Sequence, residues 1–252
     1  MTRPEPIILS WSGGKDSALA LARLRADPRF QVTDLLTTVT AGYDRVSIHG
    51  VRRALLHAQA AALGLPVHEA TLQPESSNQA YDAALARALA ALRERQPAVR
   101  RVAFGDIFLQ DVRQYREERI AAAGLEGLFP LWGEPTHGLA REGVDRGIRA
   151  RLVCVDTHAL SAGFAGRAYD AVLLAELPEG IDPCGERGEF HTFVSDGPGF
   201  RAPVPYRVGQ VVMRGERFAY CDLVPDGAGD DESGSAGALA GNGSGATAPE
   251  GA

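Results

Sequence analysis

The sequence has few cysteines, no long apolar runs and no excess of positive charge, and each shortage excludes a class of protein. Its 252 residues include 3 cysteines, which are too few and too scattered for a disulfide framework or a four-cysteine zinc site. No run of about 18 apolar residues occurs, so no membrane-spanning helix is expected. Residues 1–6 lack the apolar segment of a secretory signal. Together these features predict a reduced, cytoplasmic protein with no membrane partner.

The charge balance argues against a general nucleic-acid binder. The chain carries 26 Lys and Arg against 32 Asp and Glu, a formal net charge of −6, whereas phosphate contacts need clustered basic residues. Residues 226–252 hold five of the acids, eight glycines and seven alanines, but no Lys, Arg or aromatic residue. Such a segment buries too little apolar surface to offset its ordering entropy, so we expect a disordered tail. It would serve as a solubilising end or as an acidic interaction arm.

The first half of the chain alternates between strand and helix patterns. Predicted strands cover 6–10, 32–39, 67–72 and 101–105, and predicted helices cover 17–26, 50–63, 80–95 and 111–123. Strands that alternate with amphipathic helices are typical of βαβ units. We therefore expect an α/β fold, with a parallel sheet and helices on both faces.

The pattern changes after Trp132. Segments 152–155 and 171–174 look strand-like, and 190–194 and 208–224 look antiparallel, with Gly215 as a hairpin turn. We therefore predict a first domain over 1–132, a smaller α+β domain over 133–225, and the tail over 226–252.

A glycine-rich turn follows the first predicted strand. It has the sequence Leu-Ser-Trp-Ser-Gly-Gly-Lys-Asp-Ser over 9–17. Adjacent glycines let bare backbone approach a ligand, and the helix N-terminus that follows offers unpaired N–H groups to phosphate. Lys15 adds a positive charge, and Ser12 and Ser17 add hydroxyl donors. A Walker A loop would need glycine at Leu9 and Ser or Thr at Asp16, so the turn indicates a different kind of phosphate site.

This Ser-Gly-Gly-Lys-Asp-Ser string resembles the PP-loop of the N-type ATP pyrophosphatases, a superfamily that includes GMP synthetase, argininosuccinate synthetase and tRNA-modifying enzymes. Its members cleave ATP between the α- and β-phosphates, adenylate an acceptor, release pyrophosphate and then let a nucleophile displace AMP. The resemblance implies an ATP-binding domain. Its implied ligands for ATP are Ser12, Gly13, Gly14, Lys15, Asp16 and Ser17. Lys15 and Asp16 would act in catalysis, Asp16 would also hold Mg²⁺, and Thr38 and His49 would border the nucleotide.

Further segments are similar to those of the diphthine–ammonia ligase family. They are Ser-Ile-His-Gly-Val at 47–51, Gly-Asp-Ile at 105–107, Pro-Leu-Trp at 130–132 and Pro-Cys-Gly-Glu-Arg-Gly-Glu-Phe-His-Thr-Phe-Val at 183–194. The resemblance covers about 7–200 and implies a Rossmann-like (HUP-type) domain joined to a smaller C-terminal domain. The family's founding activity uses ATP and ammonium to amidate diphthine on a translation elongation factor. That branch typically has Glu-Tyr-Glu-Thr where this chain has Glu-Phe-His-Thr at 189–192, which leaves the acceptor open.

Two glutamates of the last segment are candidates for chemistry. Glu186 and Glu189 lie three residues apart, so on a turn both could face one side, where they could hold ammonium, take its proton or bind metal. His191 follows on a predicted strand and would share a face with Glu189. The alternative is a solvated acidic loop followed by an edge strand.

Five further residues are candidates for substrate contacts. They are Gly105, Asp106, Cys184, Gly185 and Thr192. Asp106 follows a predicted strand at its carboxyl end, where ligands gather in open parallel sheets. It could instead cap the next helix. Cys184 could be a nucleophile, but a structural role in the loop is favoured because the chain has no Cys-x-x-Cys pair.

The combined hypothesis is an ATP-dependent ligase that forms AMP and pyrophosphate and amidates a carboxylate or amide acceptor with ammonia. Its expected partners are ATP, Mg²⁺, ammonia and a small-molecule or protein-borne acceptor, and a homodimer is compatible with the sequence. Two alternatives stay open. One is a PP-loop enzyme that modifies tRNA, and the other is a non-catalytic regulator that binds ATP or AMP.

Overall fold

The computed structural model describes residues 3–41, 45–46, 50–73 and 77–226. His49 and the predicted tail beyond Asp226 lie outside the described residues. Among the residues that are described, no helix has the length and apolar character that crossing a membrane requires.

Five parallel strands form the central sheet. Their bounds are β1 (Glu5–Ser10), β2 (Phe30–Thr40), β4 (Val67–Leu72), β5 (Arg101–Ala103) and β6 (Glu126–Leu128). They lie in the order β4-β2-β1-β5-β6, and the short β3 (Arg45–Val46) runs antiparallel beside the end of β2. The helices between them are α1 (Lys15–Ala26), α2 (Arg53–Leu63), α3 (Asn78–Arg95) and α4 (Gln110–Ala122). The predicted alternation of strands and helices is confirmed.

The apolar residues of β1 explain why helices cover both faces of this sheet. Ile7, Ile8 and Leu9 are all fully buried, and successive side chains of a strand point to opposite faces. Ile7 and Leu9 belong to the hydrophobic cluster that includes α1 and α2. Ile8 belongs to a second cluster with α3 and α4. A strand that is apolar on both faces therefore fixes β1 at the centre of the sheet.

The second half of the chain forms an antiparallel sheet. Its strands are β7 (Arg149–Asp156), β8 (Ala168–Tyr169), β9 (Phe190–Asp196), β10 (Tyr206–Arg214) and β11 (Phe218–Pro225). β7 pairs with β8, β9 and β11, and β10 pairs with β11. Helices α5 (Thr136–Asp145) and α6 (Ala171–Glu176) complete this part. Gly215 has a φ of 59° at the predicted hairpin turn. The predicted fold class, a Rossmann-like domain followed by an α+β part, is confirmed.

One predicted strand is wrong. Residues 171–174 lie in α6, not in a strand, because the Asp170 side chain accepts a hydrogen bond from the Leu173 backbone N–H at 2.9 Å and caps the helix. β5 also ends at Ala103, which is earlier than predicted. Gly105 and Asp106 consequently lie in the loop that follows it.

A buried glutamine joins the two parts of the fold. Gln59 on α2 has no exposed surface. Its Nε2 donates to the carbonyls of Gly13 at 3.0 Å and Val194 at 2.6 Å, and its Oε1 accepts from Trp11 Nε1 at 3.0 Å. The Val194 backbone N–H also donates to the Gly13 carbonyl at 2.9 Å. One side chain thus holds the glycine-rich turn against β9.

Replacing this glutamine should weaken the whole fold. Gln59→Leu keeps the volume but leaves the Trp11 indole N–H and the Val194 carbonyl without their partner. The expected loss is about 2–4 kcal/mol in the free energy of unfolding, because unpaired buried polar groups keep their full desolvation cost. Urea denaturation measures it. Gln114→Leu, on an exposed part of α4, is the matched control and should change stability by less than about 0.5 kcal/mol. Equal midpoints for the two variants would contradict the prediction.

Candidate active site

A pocket lies where the first turn of α1, the loop after β5 and the loop before β9 meet. It brings together most of the residues that the sequence singled out: Ser12, Gly14, Lys15, Asp16, Ser17, Gly105, Asp106, Cys184, Gly185, Glu186, His191 and Thr192. It also includes Ser10, Phe104, Arg116, Gly188 and Phe190, which the sequence reasoning had not selected. Gly13, Thr38 and Glu189 do not line it.

The glycine-rich turn is organised by its own hydroxyls and by β9. Ser17 Oγ donates to the Gly14 carbonyl at 2.8 Å, and the Gly14 N–H donates to Ser12 Oγ at 3.2 Å. The Lys15 N–H at the start of α1 donates to Thr192 Oγ1 on β9 at 3.0 Å. Gly13 has a φ of 80°, a left-handed conformation that favours glycine. The helix N-terminus and its dipole therefore face the pocket.

Lys15 is held inside the pocket by contacts of several kinds. Its Nζ lies 2.9 Å and 2.7 Å from the two carboxylate oxygens of Asp16 and donates to the Cys184 carbonyl. It also lies 5.5 Å and 5.6 Å from the ring centroids of Tyr169 and Phe190. Burial by itself lowers the pKa of Lys15, but the Asp16 carboxylate raises it overall, above its usual value. The amine is thus a fixed, permanently charged cation.

Lys15 is also the only lysine in the chain, against 25 arginines. The sequence reasoning overlooked this signal, although it is visible without a structure. An arginine at this position would carry a planar, forked head in place of a compact point charge.

Two buried carboxylates build the loop before β9. Asp182 Oδ1 and Oδ2 accept from the N–H groups of Cys184 at 3.2 Å and Glu186 at 3.0 Å. Glu189 Oε1 and Oε2 accept from the N–H groups of Asp182 at 3.1 Å and Arg187 at 3.0 Å. Both oxygens of Glu189 are therefore bound to the loop's own backbone. These contacts give Glu189 a role in shaping the loop, whereas the sequence had suggested that it faces the nucleophile.

Glu186 connects this loop to the parallel sheet. Its Oε1 accepts from the Ile107 N–H at 2.7 Å and approaches the Phe108 N–H at 3.4 Å. Burial raises the pKa of Glu186 to about 7. A carboxyl group with such a pKa exchanges its proton readily near neutral pH.

Asp106 and Arg116 form an ion pair in the wall of the pocket. Arg116 Nε lies 3.1 Å and 2.9 Å from the two oxygens of Asp106, and its guanidinium carbon lies 5.0 Å from the centroid of the Phe104 ring. A Cβ on Gly105 would lie 3.0 Å from the Asp16 carbonyl carbon and the Ser17 nitrogen. The loop after β5 therefore lies directly against the first turn of α1, and a side chain at this position would crowd the backbone of that turn.

The Cys184 thiol is buried. Its Sγ lies 3.4 Å from the Thr136 carbonyl, and burial raises the thiol's pKa well above its usual range. A protonated thiol is a poor nucleophile. The environment of Cys184 therefore favours the structural role in the loop.

Two other candidates have different surroundings. His191 lines the pocket from β9, beside Thr192. Thr38 lies at the end of β2, where its side chain hydrogen bonds with Tyr81, outside the pocket lining. His49 lies outside the described residues.

The sequence reasoning missed Arg116 because no local motif marks it. Arg113, Arg116 and Arg119 recur every third residue of α4 and pair with Glu117, Asp106 and Asp82. That spacing places basic side chains along one stripe of a helix. Of the three, Arg116 alone lines the pocket, so the spacing by itself does not single it out.

Comparisons with known proteins agree with this architecture. Residues 6–126 match the model of the diphthamide synthase N-terminal domain, and residues 135–214 match that of the diphthamide synthase C-terminal domain. The chain is 28% identical to human diphthine–ammonia ligase over 230 residues, which cover 80% of this chain and 83% of that protein. Between them the two matched domains span most of the described fold, including the glycine-rich turn and the loop before β9. The chain therefore belongs to the diphthine–ammonia ligase-like family.

Proposed function

We propose that this protein adenylates a carboxylate with ATP and passes the activated acyl group to ammonia, forming AMP and pyrophosphate. Membership of the family supports an ATP-dependent amidating ligase. The observation that carries the finer proposal is the shared pocket. It places Lys15, at the N-terminus of α1, beside a carboxyl group on Glu186 whose pKa is about 7. A cation for phosphate and a group that exchanges protons thus face the same space.

The first step would take place at the glycine-rich turn. An oxygen of the acceptor carboxylate forms a bond to the α-phosphorus, the bond from that phosphorus to the bridging oxygen breaks, and pyrophosphate leaves with the electron pair. Lys15 would neutralise the charge that develops on the departing pyrophosphate. The backbone N–H groups at the start of α1 would add donors to the same oxygens.

Mg²⁺ fits the donor chemistry of this site. In the described residues no three His, Cys, Asp or Glu side chains are arranged to hold a metal ion by themselves. Mg²⁺ in nucleotide sites is commonly held by one or two carboxylates and the substrate's phosphates, and Asp16 provides such a carboxylate in the pocket. When bound, the metal would neutralise phosphate charge, with Asp16 as its ligand from the protein.

The second step would use Glu186. Ammonia forms a bond to the acyl carbon, and the bond from that carbon to the AMP oxygen breaks. The nitrogen must lose a proton during this substitution, and Glu186 would take it. Glu189 would contribute indirectly, because its hydrogen bonds shape the loop that carries Glu186.

The acceptor is proposed as a carboxylate. Diphthine is the first to test, since the human relative is named for it. A tRNA-modifying enzyme would need a sulfur carrier or a basic surface, and neither the buried Cys184 nor the acidic net charge favours it. A regulator without catalysis would bind ATP or AMP and release no pyrophosphate.

Removing the lysine should abolish the reaction. The assay combines ATP and ammonium with a diphthine-bearing elongation factor as acceptor, and then with fractions of a metabolite extract. It measures the AMP, pyrophosphate and amide that form. Lys15→Ala should lower the rate by at least about 10²-fold, because the departing pyrophosphate loses its cation. Arg113→Ala, which removes a cation outside the pocket lining, is the control and should stay close to wild type. Release of ADP and phosphate in place of AMP and pyrophosphate would contradict the proposal.

The pH dependence should follow Glu186. Its pKa is raised to about 7, so the unprotonated form that accepts a proton increases as the pH rises from 6 to 8. We expect kcat/KM for ammonium to rise over this interval more steeply in the wild type than in Glu186→Gln. Ammonium also loses protons as pH rises, so the variant provides the correction at each pH. Parallel profiles for the two proteins would exclude Glu186 as the proton acceptor.

A further inference from the structure

Arg116 uses only part of its hydrogen-bonding capacity in the protein. Its Nε pairs with Asp106 at 3.1 Å and 2.9 Å. Among the contacts of the described residues, its two Nη nitrogens have no protein acceptor. The side chain is 17% exposed and lines the pocket. A largely buried guanidinium with two unused amino groups in a pocket is suited to bind an anion.

The position of Arg116 relative to the phosphate site is fixed by the preceding loop. Gly105 packs against the backbone of Asp16 and Ser17, in the first turn of α1. The next residue, Asp106, is therefore held close to that turn. Asp106 then holds Arg116, and Phe104 lies under its guanidinium at 5.0 Å. Arg116 therefore faces the same space as Lys15 but belongs to a separate wall.

The proposed reaction needs two anion sites because it separates two anions. Pyrophosphate leaves after the first step, whereas the α-phosphate stays joined to the acyl group until ammonia attacks. Lys15, at the glycine-rich turn, suits the departing pyrophosphate. A second cation is needed for the phosphate that remains, and the planar fork of a guanidinium matches two phosphate oxygens.

We propose that Arg116, positioned by Asp106, binds the α-phosphate of the nucleotide and retains the adenylate after pyrophosphate has left. This inference rests on the proposed function, because only an adenylating enzyme must retain that phosphate. The acceptor carboxylate presents similar oxyanion chemistry, so the experiment must separate the two sources.

Binding of AMP and adenosine separates them, because these two ligands differ only in the α-phosphate. Isothermal titration of the full chain with each ligand should show that Arg116→Gln lowers AMP affinity at least 10-fold and leaves adenosine affinity within twofold. Arg116→Lys keeps the charge but loses the fork, and should give a smaller loss. Arg113→Gln, one turn earlier on α4 and outside the pocket lining, is the matched control and should bind both ligands as the wild type does.

A second variant guards against a simple loss of folding. Arg116→Gln leaves the buried Asp106 carboxylate without its partner, whereas Asp106→Asn/Arg116→Gln removes both charges together. Thermal unfolding should place the double variant closer to the wild type. The AMP affinity of the double variant should still be at least 10-fold lower than that of the wild type, and its adenosine affinity should be unchanged.

Three outcomes would overturn the inference. They are AMP affinity within twofold of wild type in Arg116→Gln, an equal loss for AMP and adenosine in the double variant, and a loss confined to the KM of the acceptor. The last outcome would assign Arg116 to the carboxylate. The two binding measurements need no turnover, so they are independent of the ligase assay, whereas the KM of the acceptor is measured in that assay. A protein that releases no pyrophosphate could still show AMP binding that depends on Arg116, and the ligase proposal alone would then fail.

Discussion

The contact between the glycine-rich turn and β9 is the constraint on which the site depends. The carbonyl of Gly13 receives hydrogen bonds from both the Val194 backbone and the Gln59 side chain. Two residues further on, the Lys15 N–H is bound by Thr192. A turn with bare glycines would otherwise have many conformations. Because residues about 180 positions away in the chain fix it, this conformation of the turn depends on both parts of the protein.

The two cations in the pocket are each paired with a carboxylate. Lys15 forms an ion pair with Asp16, and Arg116 forms one with Asp106. Each buried cation therefore has a carboxylate partner, as a charge in a low-dielectric environment requires. Glu186 has no such cation in direct contact and instead binds backbone N–H groups. Burial raises the pKa of Glu186 to about 7, because no cation in direct contact offsets the loss of solvent. Burial raises the pKa of Asp16 as well, and its ion pair with Lys15 opposes that shift.

The sequence predicted the features that depend on local pattern. The strand-to-helix alternation, the turn at 12–17 and the hairpin at Gly215 follow from hydrophobic spacing and glycine placement, and all appear in the structure. The short strands β3, β6 and β8 were not predicted, because a segment of two or three residues is too short to show a hydrophobic periodicity. The different surroundings of Glu186 and Glu189 could not be predicted from the sequence either. Which glutamate turns inward depends on hydrogen bonds to Ile107 and Asp182, and these partners are set by tertiary packing. Arg116 was missed for the same reason.

The single lysine of the chain has a consequence for chemical modification. Because Lys15 is the one lysine of the sequence, acetylation or any other acylation of a lysine side chain in this protein can occur only at the buried amine beside Asp16. Such a modification would remove the cation from the glycine-rich turn. In most proteins a lysine modification has to be mapped before its effect can be interpreted. Here, any modification assigned to a lysine side chain already identifies an altered pocket.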